Sequence, residues 1–304
     1  MNHLFQKLKT AISWVVTIAI VLIVWSFIEP RILVTDTEIA KIPNLPTAWQ
    51  NQQVGQISDF QIGLWGDNRG TARRSVARLV EARPAVVLIT GDFIYHPGSN
   101  LQEDIETAVA IVRPLVEAEI PTYAVLGNHD YLMKSQSASP DVESADRLKT
   151  ALNSIGVEVL ENEVVRLKLH DRNDSLKSEY LNLVGIGSLW ANRDRVRQAL
   201  RNLPTSEPRI VMMHNPDSFE KFPAESAPFA VAGHTHGGQV RVPGTPHLSW
   251  LKLARQDKVH ADGWAKDYGR SGNHLYVNSG IGMSIVPIRL FCPPKLTLFT
   301  LKKS

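Results

Sequence analysis

Residues 127–130, Gly-Asn-His-Asp, put an amide oxygen, an imidazole and a carboxylate at one turn directly after the apolar run 122–126. The arrangement recurs. Asp59-Phe60-Gln61 and Gly91-Asp92 lie upstream, His214 and Gly233-His234-Thr235-His236 lie downstream, and each follows a strand-like stretch. Any one of these is an ordinary turn or helix cap, because Asp, Asn and Gly build turns for local reasons. Together they constrain the fold. Open α/β sheets gather loops over the rigid carboxyl ends of their strands, so ligand-type side chains at successive strand ends are expected to converge on one site.

Around these motifs the periodicity predicts strand 54–57, helix 71–81, strand 85–90, helix 104–118 and strand 122–126, a βαβαβ series that makes a sheet with helical cover. The second half reads as longer strands over 157–169 and 180–186 joined by a polar hairpin, a helix over 192–203, and short buried strands at 209–213 and 229–232. With 304 residues and a 43% hydrophobic share, the chain can bury a substantial core. One folded domain is expected over residues 50–304. The net charge of +3 is mild and the basic residues are scattered, so a nucleic-acid partner is not expected. Cys292, the single cysteine, excludes an internal disulfide and reads as a small buried filler.

Residues 11–28 carry no charge. As a helix they would span roughly 27 Å against a hydrocarbon core of about 30 Å. Trp14 and Trp25 fall near the two ends, where indoles favour the membrane interface. A cleaved signal peptide is the competing reading. The run exceeds the usual apolar core of such a peptide, and no small-x-small cleavage site follows it before Ala40, so an uncleaved anchor is expected. Lys7 and Lys9 precede the helix, whereas Glu29, Asp36 and Glu38 follow it with Arg31. The positive-inside rule then leaves residues 1–10 in the cytoplasm and the domain outside a cell membrane crossed once. Residues 29–49, with Pro30, Pro43 and Pro46, read as an extended tether.

Carboxylate, amide and imidazole side chains gathered at strand ends suit a cluster of divalent cations. A pair of such ions about 3.5 to 4 Å apart is a recurrent solution for hydrolysing phosphate esters. In this order, D-x-Q, GD, GNHD, H and GHxH, the motifs resemble those of the calcineurin-like metallophosphoesterase superfamily. GHTHGGQV at 233–240 and the closing stretch 276–282 through Arg289-Leu290-Phe291 are similar to its membrane-associated bacterial phosphodiesterase branch. The resemblance covers residues 54 to 302. It implies a four-layer αββα sandwich of two mixed sheets flanked by helices.

It also implies a first cation held by Asp59, Gln61, Asp92 and His236, and a second by Asp92, Asn128, His214 and His234. Asp92 bridges them, together with a water that the two cations make acidic enough to act as hydroxide. His129 is implied to be the proton donor or a phosphate ligand, with Asp130 orienting its ring. Gln61 departs from the commonest pattern, which has histidine there. A carbonyl oxygen is a harder, weaker donor than imidazole, so Mn²⁺ is favoured, with Fe, Zn or Mg as alternatives. The implied substrate is a phosphoester, with a phosphodiester favoured because no dense Arg or Lys cradle accompanies the motifs, and membrane tethering suggests a lipid-linked or envelope molecule.

Two other functions are compatible with the same residues. One is a membrane-tethered scaffold that binds metals without turnover, and the other is a nucleotide-directed phosphatase with an aromatic pair beside the metals. His96, His170, His247, His260 and His274 are expected on loops or the surface, with His96 close enough to Asp92 to line a cleft. Trp190, Trp250 and Trp264, with Leu251 and Leu253, are expected either to pack the core or to wall the site.

Overall fold

The structure, a computed structural model, describes residues 2–95, 100–169, 180–249 and 261–304. Helix α1 (Asn2–Ile28) is long and apolar enough to cross a membrane. It takes in Lys7 and Lys9 and so starts well before the uncharged run.

Fourteen strands follow among the described residues: β1 (Val34–Ile42), β2 (Gln53–Ile57), β3 (Val86–Ile89), β4 (Thr122–Ala124), β5 (Glu158–Val159), β6 (Glu163–Leu167), β7 (Leu181–Gly185), β8 (Arg209–Met212), β9 (Ala230–Ala232), β10 (Arg241–Val242), β11 (Thr245–Ser249), β12 (Gly263–Trp264), β13 (Leu275–Val277) and β14 (Lys295–Lys303). They form one six-stranded sheet in the order β1-β14-β2-β3-β4-β5 and another in the order β12-β13-β9-β8-β7-β6, with β10 and β11 as a separate ribbon. Both large sheets are mixed. In the first, β2 through β5 run parallel while β14 opposes β2, and in the second, β7, β8, β9 and β13 run parallel between antiparallel edges.

The sheets face each other across an apolar layer that includes Val54, Leu88 and Phe299 from the first and Leu183, Met212 and Val231 from the second. Fully burying such side chains contributes roughly 1.5–3 kcal/mol each, so this layer dominates the attachment of one sheet to the other. On the outer face of the first sheet lie α2 (Arg69–Ala82), α3 (Leu101–Glu117) and α4 (Val142–Ser154). α2 buries Ala72, Val76 and Leu79 at helical spacing, and ends where Arg83 turns left-handed before Pro84. α4 starts on Asp141, whose carboxylate accepts from the Ser144 N–H at 2.9 Å. The outer face of the second sheet is covered more thinly, by α5 (Val196–Ala199) and the 3₁₀ turn Pro216–Lys221 that carries Phe219. These four layers are the expected αββα sandwich.

Three expectations need correction. Residues 29–49 are not an extended tether. β1 pairs with β14 along its whole length, Ala40 and Ile42 enter the intersheet layer, and Trp49 is buried. The prolines that suggested a tether sit at the ends of these elements, where a missing N–H costs no ladder bond. The stretch 157–169 is two strands in different sheets, since β5 joins β4 and β6 joins β7. Asn162, with φ of 59°, turns the chain between them. The helix expected over 192–203 shrinks to α5, because Asn192 is left-handed and the Arg195 N–H is held by the Asn162 side chain at 2.8 Å. The polar hairpin before β7 lies outside the described residues.

Candidate metal centre

The parallel strands of both sheets end at one edge of the sandwich. After β2 come Asp59 and Gln61, after β3 comes Asp92, and Asn128 follows β4. From the second sheet, His214 follows β8, and His234 and His236 follow β9. Each sheet thus brings part of the set. Asp59, Gln61, Asp92, His234 and His236 all have left-handed backbones, with φ between 48° and 73°. Non-glycine residues adopt this conformation uncommonly and at some energetic cost, and concentrations of it mark functional sites.

Two close groups result. Ligand atoms of Asp92, His214 and His234 lie within 4.8 Å of one another, as do those of Asp59, Asp92 and His236. Asp92 belongs to both. His214 Nε2 is 3.2 Å from Asp92 Oδ2, 3.1 Å from Asn128 Oδ1 and 3.2 Å from His234 Nδ1. His236 Nε2 is 3.6 Å from Asp59 Oδ1 and 3.3 Å from the Gln61 amide, which also rests 2.8 Å from Asp92. The structure therefore brings all seven expected ligands together.

The imidazoles are aimed by the backbone. His214 Nδ1 donates to the Thr90 carbonyl at 2.7 Å and His236 Nδ1 donates to that of Gly282 at 3.2 Å, which turns each Nε2 toward the cluster. Glycines permit the close approach. A Cβ on Gly127 would fall 2.1 Å from Asp92 Oδ1, and Gly91, at φ of 90°, supplies the turn that a side chain would strain.

The donor set fits a pair of divalent cations. It holds two carboxylates, two amides and three imidazoles, a mixture suited to transition metals. Gln61 Oε1 and Asn128 Nδ2 are buried without a partner, and an amide oxygen turned toward a cation removes such a penalty for Gln61. The electrostatics agree. Burial pushes the Asp59 carboxyl up. Burial opposes ionisation of Asp92 too, but His214 and His129 hold its carboxyl below the usual range. His214 is pushed up to about 9, because Asp92 outweighs the desolvation of its charged form. Positive charge is what this cluster demands.

His129 is buried at the margin of the cluster, with its ring stacked on Tyr95 at 4.8 Å between centroids. Its backbone N–H donates to Asp92 Oδ1 at 2.8 Å. Asp130 departs from the expected role of orienting that ring. Its carboxylate accepts from the backbone N–H groups of Asp92, Gly127 and Ile94, so it fixes the Asp92 and Asn128 turns against each other. Burial and the nearby Asp92 push it up to about 7.

A cleft of about 570 Å³ opens over the cluster, reaching Asn128, His129, His234 and His236 at its floor. Tyr95, Trp190, Val240, Ile285, Val286 and Ile288 give it an apolar wall. Trp190 belongs to the site, with its ring edge-on to His234, whereas Trp264 packs on Phe229 and Tyr276 beside the intersheet layer. His274 is exposed. His96, His170, His260, Trp250, Leu251, Leu253 and the side chain of His247 lie outside the described residues.

The periodicity gave no hint of Arg289. Fully buried, it donates to the carbonyls of Ser279, Gly280, Gly282, His236 and Cys292, and so knots the closing stretch around His236. The only sequence signal is its place in that stretch. Cys292 is buried as expected, its thiol directed at the His236 carbonyl and its pKa raised by burial.

The model of the family described as calcineurin-like phosphoesterase matches residues 53–238. The chain is 31% identical over 232 residues to "Phosphodiesterase YaeI" of Escherichia coli (strain K12), covering 75% of this chain and 74% of that one. It is 23% identical to "Uncharacterized metallophosphoesterase YkuE" of Bacillus subtilis (strain 168), covering 91% and 88%. "UDP-2,3-diacylglucosamine pyrophosphatase LpxG" of Chlamydia trachomatis is 24% identical, over 90% of this chain and 91% of its own.

Proposed function

The chain belongs to the calcineurin-like phosphoesterase family of dimetal hydrolases of phosphoric esters, and on that premise we propose that it is a membrane-anchored phosphodiesterase acting on a lipid-linked or envelope-derived substrate. The observation that carries the reading is Asp92, common to two ligand groups assembled from both sheets. Asp59, Gln61, Asp92 and His236 would hold one cation, and Asp92, Asn128, His214 and His234 the other. When bound, the pair supplies an acidified water and neutralises charge on the phosphoryl oxygens.

The chain's own groups do the rest. His129, beside the ligands at the floor of the cleft, passes a proton to the leaving alkoxide or steadies the phosphoryl group, while Tyr95 stacking limits the ring's swing. Asp130 holds the turn that carries Asp92. Lys134 is the one lysine or arginine among the described residues lining the cleft, which suits a diester with its single charge. The apolar wall suits an alcohol portion with hydrocarbon on it, and LpxG is by name a pyrophosphatase of a diacylated sugar nucleotide, while YaeI is by name a phosphodiesterase. α1 would be the anchor, with its N-terminus in the cytoplasm and the folded domain, which begins with β1, outside the membrane.

The test is hydrolysis of bis(p-nitrophenyl) phosphate, p-nitrophenyl phosphate and a glycolipid pyrophosphate by the full chain in detergent, with Mn²⁺, Zn²⁺, Fe²⁺ or Mg²⁺. Diester cleavage should exceed monoester cleavage and rank highest with Mn²⁺. Asp92→Asn should abolish it, and His129→Ala should lower it by roughly 10²–10⁴-fold, the usual contribution of a positioned proton donor. No turnover with both cations bound would leave a metal-binding scaffold.

A further inference from the structure

The end of α1 is bolted to the loop that walls the cleft. The Ser26 carbonyl accepts from the Arg289 N–H at 2.9 Å, and the buried Glu29 carboxylate accepts from the N–H groups of Phe291 and Cys292. Glu29 is itself braced by the Trp25 indole at 2.7 Å. These groups stand where the uncharged run gives out, which is the level of the headgroups for a helix that spans a bilayer. The loop is thereby pinned at that level.

Sheet direction says the same independently. β2, β3 and β4 point their carboxyl ends at the metal-ligand cluster, while β14 opposes β2 and β1 runs with β14. β1 therefore begins at the cluster edge and runs away from it, so the chain leaving α1 enters the domain at the edge that carries the cleft. That edge also carries exposed apolar side chains. Ile285 is 73% exposed and Val286 42%, and Trp65 is 74% exposed beside Gly66, where a Cβ would fall 2.2 Å from Pro287. Trp65 and the 285–286 tip therefore belong to two loops in contact.

We infer that Trp65, Ile285 and Val286 rest among the lipid headgroups, so that the mouth of the cleft faces the bilayer and a lipid-linked phosphoester enters it sideways from the membrane. The inference rests on the anchor reading above. Its occupant is the bilayer because the surface continues from the spanning helix through hydrogen bonds that fix its depth. An exposed apolar tip joined to an indole is also the composition that settles at a membrane interface. The wall formed by Val240, Ile285, Val286 and Ile288 then continues the hydrocarbon layer up to His234 and His236.

The test is spin-label depth in nanodiscs of phosphatidylethanolamine and phosphatidylglycerol, using the full chain with Ile285→Cys, and Val286→Cys as a second probe of the tip. Val16→Cys in α1 marks the bilayer, Lys303→Cys at the far end of β14 marks water, and the unlabelled buried Cys292 of the parent chain sets the background. Collision of the 285 and 286 labels with a water-soluble nickel chelate should fall about fivefold or more below that of the 303 label, with a gain in oxygen collision, as burial of several Å in the headgroup layer requires. Labels at 285 and 286 as open to nickel as that at 303, with the 16 label in lipid, would overturn the inference and leave the anchor standing. Shielding from nickel without a gain in oxygen would mark a protein partner instead and overturn it too. A 16 label open to nickel would remove the anchor, and the inference with it.

Discussion

At the scale of single residues, the site depends on groups that never touch substrate. Arg289 satisfies five carbonyls in the loop that aims His236, and burial lowers its pKa, with no carboxylate among the described residues in hydrogen-bond reach to compensate. Arg289→Met keeps the volume and leaves those carbonyls unpaired, so it should cost about 3–5 kcal/mol in thermal or urea unfolding. It should also weaken metal retention at His236, measured by metal content after dialysis. Gln61 sits between Asp92 and His236. Gln61→His replaces an oxygen donor with nitrogen, and should shift the activity ranking from Mn²⁺ toward Zn²⁺ while leaving unfolding free energy within about 1.5 kcal/mol of the parent. An unchanged ranking would show that the amide does not ligate.

At the scale of elements, legibility followed the chemistry of each segment. The ligands could be read because each stands at the end of an apolar run, and strand ends in such sheets converge whatever their order in the chain. α2, α3 and β2 to β4 were legible from periodicity over enough residues to average out noise. β5 and β6 looked like one strand because a change of sheet needs one turn residue, Asn162, and leaves the hydrophobic alternation nearly intact. β1 was hidden by its prolines and by a partner, β14, more than 250 residues away by the ladder that pairs Val34 with Lys295. That ladder predicts a boundary. A chain starting at residue 29 should fold, whereas one starting at residue 44 bares the β14 edge and should lose on the order of 5 kcal/mol or precipitate, by about 1 kcal/mol per ladder bond removed. Equal melting temperatures for the two would show that β1 adds nothing.

At the scale of the whole molecule, the two sheets meet through an apolar layer, through polar contacts such as Gln56 to the Ala232 carbonyl and Tyr276 to Asp36, and, at one edge, through the ligand cluster. Cations at that edge would act as a clasp between sheets. At a hundredfold excess over Kd, ligand linkage predicts about 2.7 kcal/mol of stabilisation. Chelation should then lower Tm by roughly 5–10 °C for a domain of this size, followed by calorimetry in detergent. Asp92→Asn should blunt that response. The pairing of β1 with β14 has a last consequence, for synthesis. β1 leaves the ribosome directly behind α1, but its sheet neighbour among the described residues is encoded some 250 residues later. At about 5–20 residues per second, the nascent chain carries an unpaired strand for tens of seconds. Until translation reaches β14, β2 also lacks its neighbour and the first sheet stays open on that side. A ribosome stalled before residue 295 therefore releases a chain with bare strands, a ready substrate for quality-control proteases.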